Sequence, residues 1–265
     1  MTIAHAGIFS PAYIVSGLLV GVLVGLTGVG GGSLMTPLLV LLFGFHPSTA
    51  VGTDLLFAAA TKTVGTSVHN AGRSVDWGIV GLLAMGSMPA TVLTLLVIAH
   101  FGTTSHVVTS AISLVLGVAL LLSAISLIAK DWILRVAMKR NPDFGLQRSI
   151  GLTIMVGFVV GVVVSISSVG AGALGTIALL FLYPRLPVVR VVGSDIAHAV
   201  PLTLIAGIGH WYLGAVNFPL LGSLLIGSIP GIIIGSLCAR HAPEAYLKPA
   251  LSIVLVLVGI KMLAG

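Results

Sequence analysis

Apolar residues fill this chain in long runs, separated by short breaks of glycine, proline and charge. The breaks mark out ten segments: 12–27, 33–43, 48–69, 77–99, 105–129, 149–167, 173–183, 190–211, 217–239 and 245–264. Inside them the sequence reads Leu-Leu-Val-Leu-Leu or Ala-Met-Gly-Ser, with none of the apolar–polar alternation of a barrel strand. A helix crossing a bilayer needs about 20 mostly apolar residues and satisfies its own backbone in hydrocarbon, so these runs predict an all-α polytopic membrane protein. Segments 33–43 and 173–183 are 11 residues each, roughly 16 Å as helix against a hydrocarbon core of roughly 30 Å. Each is expected to pair with the helix before it as a broken or re-entrant pair, which predicts six long spans and two hairpins, or up to ten crossings if the hairpins pass through.

The longest polar break, Lys130 to Arg148, divides the chain into a first repeat at 1–129, a linker loop at 130–148 and a second repeat at 149–265. The two halves match in order. Gly28-Val29-Gly30-Gly31-Gly32-Ser33-Leu34 falls on Ser168-Val169-Gly170-Ala171-Gly172-Ala173-Leu174 at a shift of 140. At a shift of 141, Val51-Gly52-Thr53-Asp54 falls on Val192-Gly193-Ser194-Asp195, His69 on His210, Val75-Asp76-Trp77 on Val216-Asn217-Phe218, and Gly86-Ser87-Met88-Pro89 on Gly227-Ser228-Ile229-Pro230. Four blocks in one order point to two five-segment repeats, with Pro89 and Pro230 as matched kinks.

Composition agrees: 57% of residues are hydrophobic and 7% charged, against roughly a quarter charged in a soluble domain. The net charge of +6 is not gathered on a soluble module, so no nucleic-acid partner is expected. Basic residues sort by loop instead. Placing Lys130, Arg135, Lys139, Arg140 and Arg148 in the cytoplasm also puts Arg73, Arg185 with Arg190, and Arg240 with Lys248 inside, and leaves the loops at 44–47, 100–104 and 212–216 outside without Lys or Arg. Equivalent loops of the two halves swap sides, as an inverted repeat requires. No Lys or Arg lies in Met1 to Pro11, so a cleavable signal peptide is not expected. Trp77, Trp132 and Trp211 stand near segment ends as interface anchors.

The candidate chemistry lies in two places. One is the pair of tips, with Thr27, Gly28, Gly30, Gly31, Gly32 and Ser33 in the first half and Ser167, Ser168, Gly170, Ala171 and Gly172 in the second. Irregular backbone at membrane depth is tolerated where it lines a cavity, and the helix starting at Ser33 would aim free N–H groups and a positive dipole end at an anion. Close helix packing through small residues is the plainer reading. The other is the set of ionisable residues inside apolar runs, which are costly in lipid. Asp54, Lys62 and His69 share one face of a helix, and Lys62 is about 12 Å along it from Asp54, too far for a bond within the helix. The second half keeps Asp195 and His210, has Thr203 at the lysine position, and adds His198 opposite Phe57. The carboxylates and histidines are candidates for coupling or gating. The alternatives are backbone capping by Asp54 and Asp195, interfacial placement of His69 and His210, and a structural ion pair at Lys62.

Motifs for enzymatic chemistry are absent: there is no His-Glu-x-x-His, no close carboxylate pair and no serine elbow, and the one glutamate, Glu244, falls in an expected cytoplasmic loop. The Gly-x-Gly string lacks the βαβ unit that a dinucleotide fingerprint needs, and the single Cys238 excludes an internal disulfide or a Cys-based metal site. No cofactor, metal or catalytic residue is expected.

The glycine block Gly21-x-x-x-Gly25-x-x-Gly28-Val29-Gly30-Gly31-Gly32, followed by Pro37 and Val51-Gly52-Thr53, resembles the sulfite exporter TauE/SafE family over essentially the whole chain. The second tip departs from the glycine-rich form at Ser168, Ala171 and Ala173. The resemblance implies a bacterial inner-membrane transporter of sulfite, thiosulfate or a small organosulfonate, with export coupled to protons or the membrane potential. A passive anion channel of the same fold, or a scaffold handing sulfur compounds to a soluble partner through the 130–148 loop, are the rival readings. The lipid bilayer and the anion are the expected partners, and a homo-oligomer is left open.

Overall fold

A computed structural model describes residues 10–27, 32–71, 74–139, 146–170, 172–238 and 244–264. The described residues form helices alone: α1 (Pro11–Thr27), α2 (Gly32–Leu41), α3 (Pro47–Ala71), α4 (Trp77–Phe101), α5 (His106–Lys139), α6 (Leu146–Ser167), α7 (Leu174–Leu182), α8 (Val188–Tyr212), α9 (Phe218–Cys238) and α10 (Glu244–Ala264). They follow the ten sequence segments closely. The exception is α5, which runs on to Lys139 through the first half of the expected linker loop. Ala, Leu, Met, Lys and Arg are good helix formers whether or not lipid surrounds them, so the break in hydropathy at Lys130 does not break the helix.

Five helices are long and apolar enough to cross a membrane: α4, α5 over His106–Ala129, α6 over Ile150–Ser167, α8, and α9 over Phe218–Gly235. The six spans expected from sequence differ from this set. Helix α3 has 25 residues but carries Asp54, Lys62 and His69, which dilute its hydropathy. The apolar stretches Pro11–Leu26 and Pro249–Ala264 are shorter. Outward-facing Leu19, Leu96, Leu122, Phe158, Ile233 and Leu257 give the bundle the apolar exterior that lipid requires.

Glycine sets the helix pairing. A Cβ on Gly86 of α4 would lie 1.9 Å from the Ile154 carbonyl oxygen of α6, and one on Gly227 of α9 would lie 1.9 Å from the Ile14 carbonyl oxygen of α1. Gly157 against Leu83 and Gly17 against Leu224 repeat the pattern at 2.2 and 2.3 Å. Backbone thus meets backbone along both α4–α6 and α1–α9, the close approach that small residues allow within membranes. In each of these two pairs the helices run parallel, since rising numbers in one meet rising numbers in the other. In α3–α8 the order is reversed: Gly52 packs at His210 and Ala215, and Leu56 at Gly207. Helices α5 and α10 are also antiparallel, with Gly117 at Leu263 and Leu121 at Gly259.

Polar contacts at the helix ends recur at the same shift. Asp76 N donates to Ser194 Oγ (2.8 Å) and Asn217 N donates to Thr53 Oγ1 (3.0 Å). Asp76 Oδ1 then caps the first turn of α4 through Gly78 and Ile79, and Asn217 Oδ1 caps α9 through Leu220. Only the α4 end adds a charge contact, Arg190 to Asp76 at 3.2 Å.

Candidate functional site

The centre of the molecule lies where α3 and α8 cross and the α6–α7 turn meets them. Helix α6 stops at Ser167 because the next residue leaves helical space: Ser168 has φ 60°, and Gly170 and Gly172 follow at φ 118° and 120°. Glycine enters this left-handed region freely, whereas serine does so at a cost of about 1 kcal/mol or more. Ser167 Oγ donates to the Val163 carbonyl (2.7 Å) and accepts from Val169 N (3.3 Å), so its polar capacity serves the turn itself. Ser168 is 2% exposed, and its hydroxyl is directed at the Asp54 carboxylate, beyond the distance of an ordinary hydrogen bond.

Asp54 and Asp195 are both wholly buried, each one turn or more into its long helix. Each carboxylate is held by a threonine on the preceding short helix. Thr36 Oγ1 of α2 donates to Asp54 Oδ2 at 2.5 Å, and Thr176 Oγ1 of α7 donates to Asp195 Oδ2 at 2.8 Å. In both, the other oxygen, Oδ1, has no hydrogen-bond partner among the described residues. Gly175 supplies room under the second: a Cβ there would lie 2.2 Å from Asp195 Oδ1.

Lys62 is buried at 6% exposure and lies within the electrostatic reach of both carboxylates, Asp54 on its own helix and Asp195 on α8. His198 is within the same field of Lys62 and shares a 2.8 Å hydrogen bond between Nε2 and Ser87 Oγ of α4. At the matched position Phe57 offers no such group, and Ser228 Oγ is left without a partner among the described residues. Thr203, at the lysine position, turns its hydroxyl onto the Ala199 carbonyl of its own helix (2.8 Å).

His210 is buried rather than interfacial, and its Nε2 donates to the Ser165 carbonyl at 2.9 Å. It braces the last turn of α8 against α6, apart from the lysine. Thr27, Gly32, Ser33 and His69 are described by backbone only, at the end of α1, the start of α2 and late in α3. Gly28, Gly30, Gly31 and Ala171 lie outside the described residues. The structure therefore brings together Asp54, Lys62, Ser168, Asp195 and His198. It adds Thr36, Thr176 and Ser87, which the sequence reading passed over. Thr36 and Thr176 are themselves 140 apart, each in a short and mostly apolar helix, so the repeat held a signal for them.

A helical bundle with an apolar exterior and several helices long enough to cross a bilayer defines a polytopic membrane protein. The comparison with known proteins narrows this. The model of the family described as sulfite exporter TauE/SafE matches residues 13–262, and the chain belongs to that family of membrane transporters. Among curated relatives, the Probable membrane transporter protein YjnA of Bacillus subtilis (strain 168) is 40% identical over 252 residues, covering 93% of this chain and 97% of the relative. YdhB and YunE of the same organism, bearing the same description, are 26% and 28% identical and cover 92% and 94% of this chain, and each is itself covered over 96% of its length. No solved structure matches the chain significantly.

Proposed function

We propose that the protein is a secondary transporter that moves small sulfur-containing anions, such as sulfite, thiosulfate or an organosulfonate, out across the bacterial cell membrane, coupled to protons or the membrane potential. The observation that carries this reading is Lys62, a buried lysine within reach of a carboxylate from each half, one of which, Asp54, adjoins Ser168 at the α6–α7 turn. An oxyanion entering there would meet the ammonium, the Ser168 hydroxyl and the backbone at Gly170 and Gly172, a combination of charge-assisted and neutral donors. Thr27, Gly28, Gly30, Gly31, Gly32 and Ser33 would face it from the first half, with Ser167, Ala171 and Gly172 supporting the second tip. Asp54, Asp195 and His198 then serve coupling, and His69 and His210 serve gating.

Residues 1–129 and 149–265 act as two halves in opposite orientation, joined on the cytoplasmic side through 130–148. The antiparallel crossing of α3 with α8 and of α5 with α10 supports this, because a pseudo-two-fold axis in the membrane plane reverses each helix against its equivalent. The short α2 and α7, of 10 and 9 residues, fit re-entrant pairs with α1 and α6. Rocking one half against the other would expose the centre to each side in turn.

Purified protein in liposomes is expected to give saturable flux of labelled sulfite, thiosulfate or a sulfonate that responds to an imposed pH gradient or potential. Flux no greater than that of empty vesicles for all three anions overturns the proposal. Flux that neither saturates nor responds to a gradient assigns the fold to a passive channel.

The strained serine gives a sharper test of the second tip. Ser168→Gly removes a left-handed non-glycine residue, so its stability to heating in detergent should rise by up to about 1 kcal/mol. Anion affinity should meanwhile fall several-fold with the loss of the hydroxyl. Unchanged affinity would remove Ser168 from the site.

A further inference from the structure

The two Thr–Asp contacts are one device built twice. Thr36 and Thr176 are equivalent at a shift of 140, and Asp54 and Asp195 at 141. One carboxylate oxygen accepts from the threonine in each, at 2.5 and 2.8 Å, and the other makes no hydrogen bond within ordinary distance among the described residues. All four side chains are buried, the carboxylates at 0% exposure, and a half-satisfied carboxylate in that setting is costly. Nothing in the packing of a mostly apolar short helix calls for a threonine at the one matched position of each half.

We propose that Thr36 and Thr176 are positioning residues, each locking Oδ2 of its carboxylate so that Oδ1 of Asp54 and of Asp195 is the atom that gains and loses a proton during transport. This rests on the transport reading above and adds to it the two residues that orient the exchange and the atom at which it occurs. A hydroxyl donor on one oxygen fixes the carboxyl plane and occupies the competing basic atom, leaving the other to exchange the proton; in Asp195 that other oxygen lies over Gly175 of α7. The titratable groups acting on the two carboxylates include Lys62 from α3, which also acts on His198 of α8, and the Ser168 hydroxyl from the α6–α7 turn stands next to Asp54. Helices α2 and α7 contribute no titratable residue, and α9 contributes only Cys238, exposed at its last position. One cation between two equivalent carboxylates leaves one negative charge to be balanced, so a proton on one Oδ1 at a time neutralises the centre. An anion that engages Lys62 would draw a second proton to the other. Anion and proton are thus expected to load together.

The test uses the whole protein and has a readout that needs no substrate. Infrared difference spectra over a pH titration in lipid should contain a protonated-carboxyl stretch that weakens in Asp54→Asn and in Asp195→Asn. Thr36→Val and Thr176→Val should shift the frequency of the matching component and displace its midpoint toward alkaline pH. The expected displacement is about tenfold in proton concentration, the worth of one hydrogen bond to a charged group. Thr→Ser at either site should restore both. In liposomes the valine variants should move the pH profile of sulfite flux by a similar factor while the KM for the anion stays within about twofold, as for a group acting through another. If a valine variant fails to fold, the alanine variant carries the same comparison. Band and profile unchanged in the valine or alanine variant would overturn the proposal and leave the threonines as packing residues. A wild type without flux for any sulfur anion overturns the transport reading alone, because the infrared titration still decides whether the threonines orient the carboxyl groups.

Discussion

Lys62→Met is expected to reduce anion flux in liposomes to the background of empty vesicles, a loss of at least about a hundredfold, or roughly 2.7 kcal/mol of barrier. The physical reason is the balance of charge at the centre. Lys62 is the cation acting on both Asp54 and Asp195, and all three are buried. Methionine keeps the length and the apolar stem but removes the attraction that would draw an oxyanion into the bilayer, where an unpaired charge costs several kcal/mol. The same change strips two carboxylates of their counter-ion, and breaking a buried pair in this way costs about 3–5 kcal/mol in stability. The two effects separate in a double variant. Lys62→Met with Asp195→Asn should recover much of the lost thermal stability, since no net charge is then abandoned beside α8, yet remain inactive. Recovery of flux in the double variant would show that Lys62 serves only the fold.

Gly86→Leu and Gly227→Leu should be the most damaging packing changes, and they should act alike. The first atom added, Cβ, would already sit 1.9 Å from a carbonyl oxygen of the facing helix in each case. No rotamer avoids this contact, because Cβ is fixed by the backbone. The helices must move apart, and the neighbouring contacts Gly157–Leu83 and Gly17–Leu224 loosen with them. Overpacking of a well-filled interior costs about 1–3 kcal/mol for a methylene or two, and leucine adds more than that. Alanine at the same positions should lower the unfolding temperature measurably, and leucine should prevent recovery of folded protein from the membrane. Gly81→Ala and Gly151→Ala are the controls. A Cβ there meets nothing within 4 Å, so alanine should be neutral or slightly stabilising through helix propensity. Equal losses at Gly81 and Gly86 would mean that propensity, and not backbone approach, governs these glycines.

Much of this architecture is written in local pattern. The ten helices follow the apolar segments to within a few residues at almost every end, from α4 at Trp77–Phe101 to α10 at Glu244–Ala264. Where the two disagree, at α5, hydropathy ended while helix propensity continued to Lys139. Asp54, Lys62 and His198 were marked by ionisable character in an apolar setting, a signal that needs no partner to be seen. Thr36, Thr176 and Ser87 went unmarked because hydroxyls are common and inexpensive in membrane helices. Ser167 was marked with Ser168, although the Ser167 hydroxyl serves its own turn while that of Ser168 points to Asp54; the difference lies in the hydrogen bonds of one turn.

The sequence by itself determined that the chain is helical and spans a membrane, and which ionisable residues lie within its apolar runs. These follow from periodicity and composition, because a backbone in hydrocarbon has no other way to satisfy its polar groups over such lengths. Only the tertiary structure decided which of those residues meet. That Lys62 lies within reach of a carboxylate from each half, that Thr36 and Thr176 each hold one carboxylate oxygen, and that Ser168 stands beside Asp54 all depend on how α3 crosses α8 and where α2 and α7 dock on them. Glycine contacts and helix caps between segments distant in sequence fix that register, and no local pattern encodes a distance between two helices.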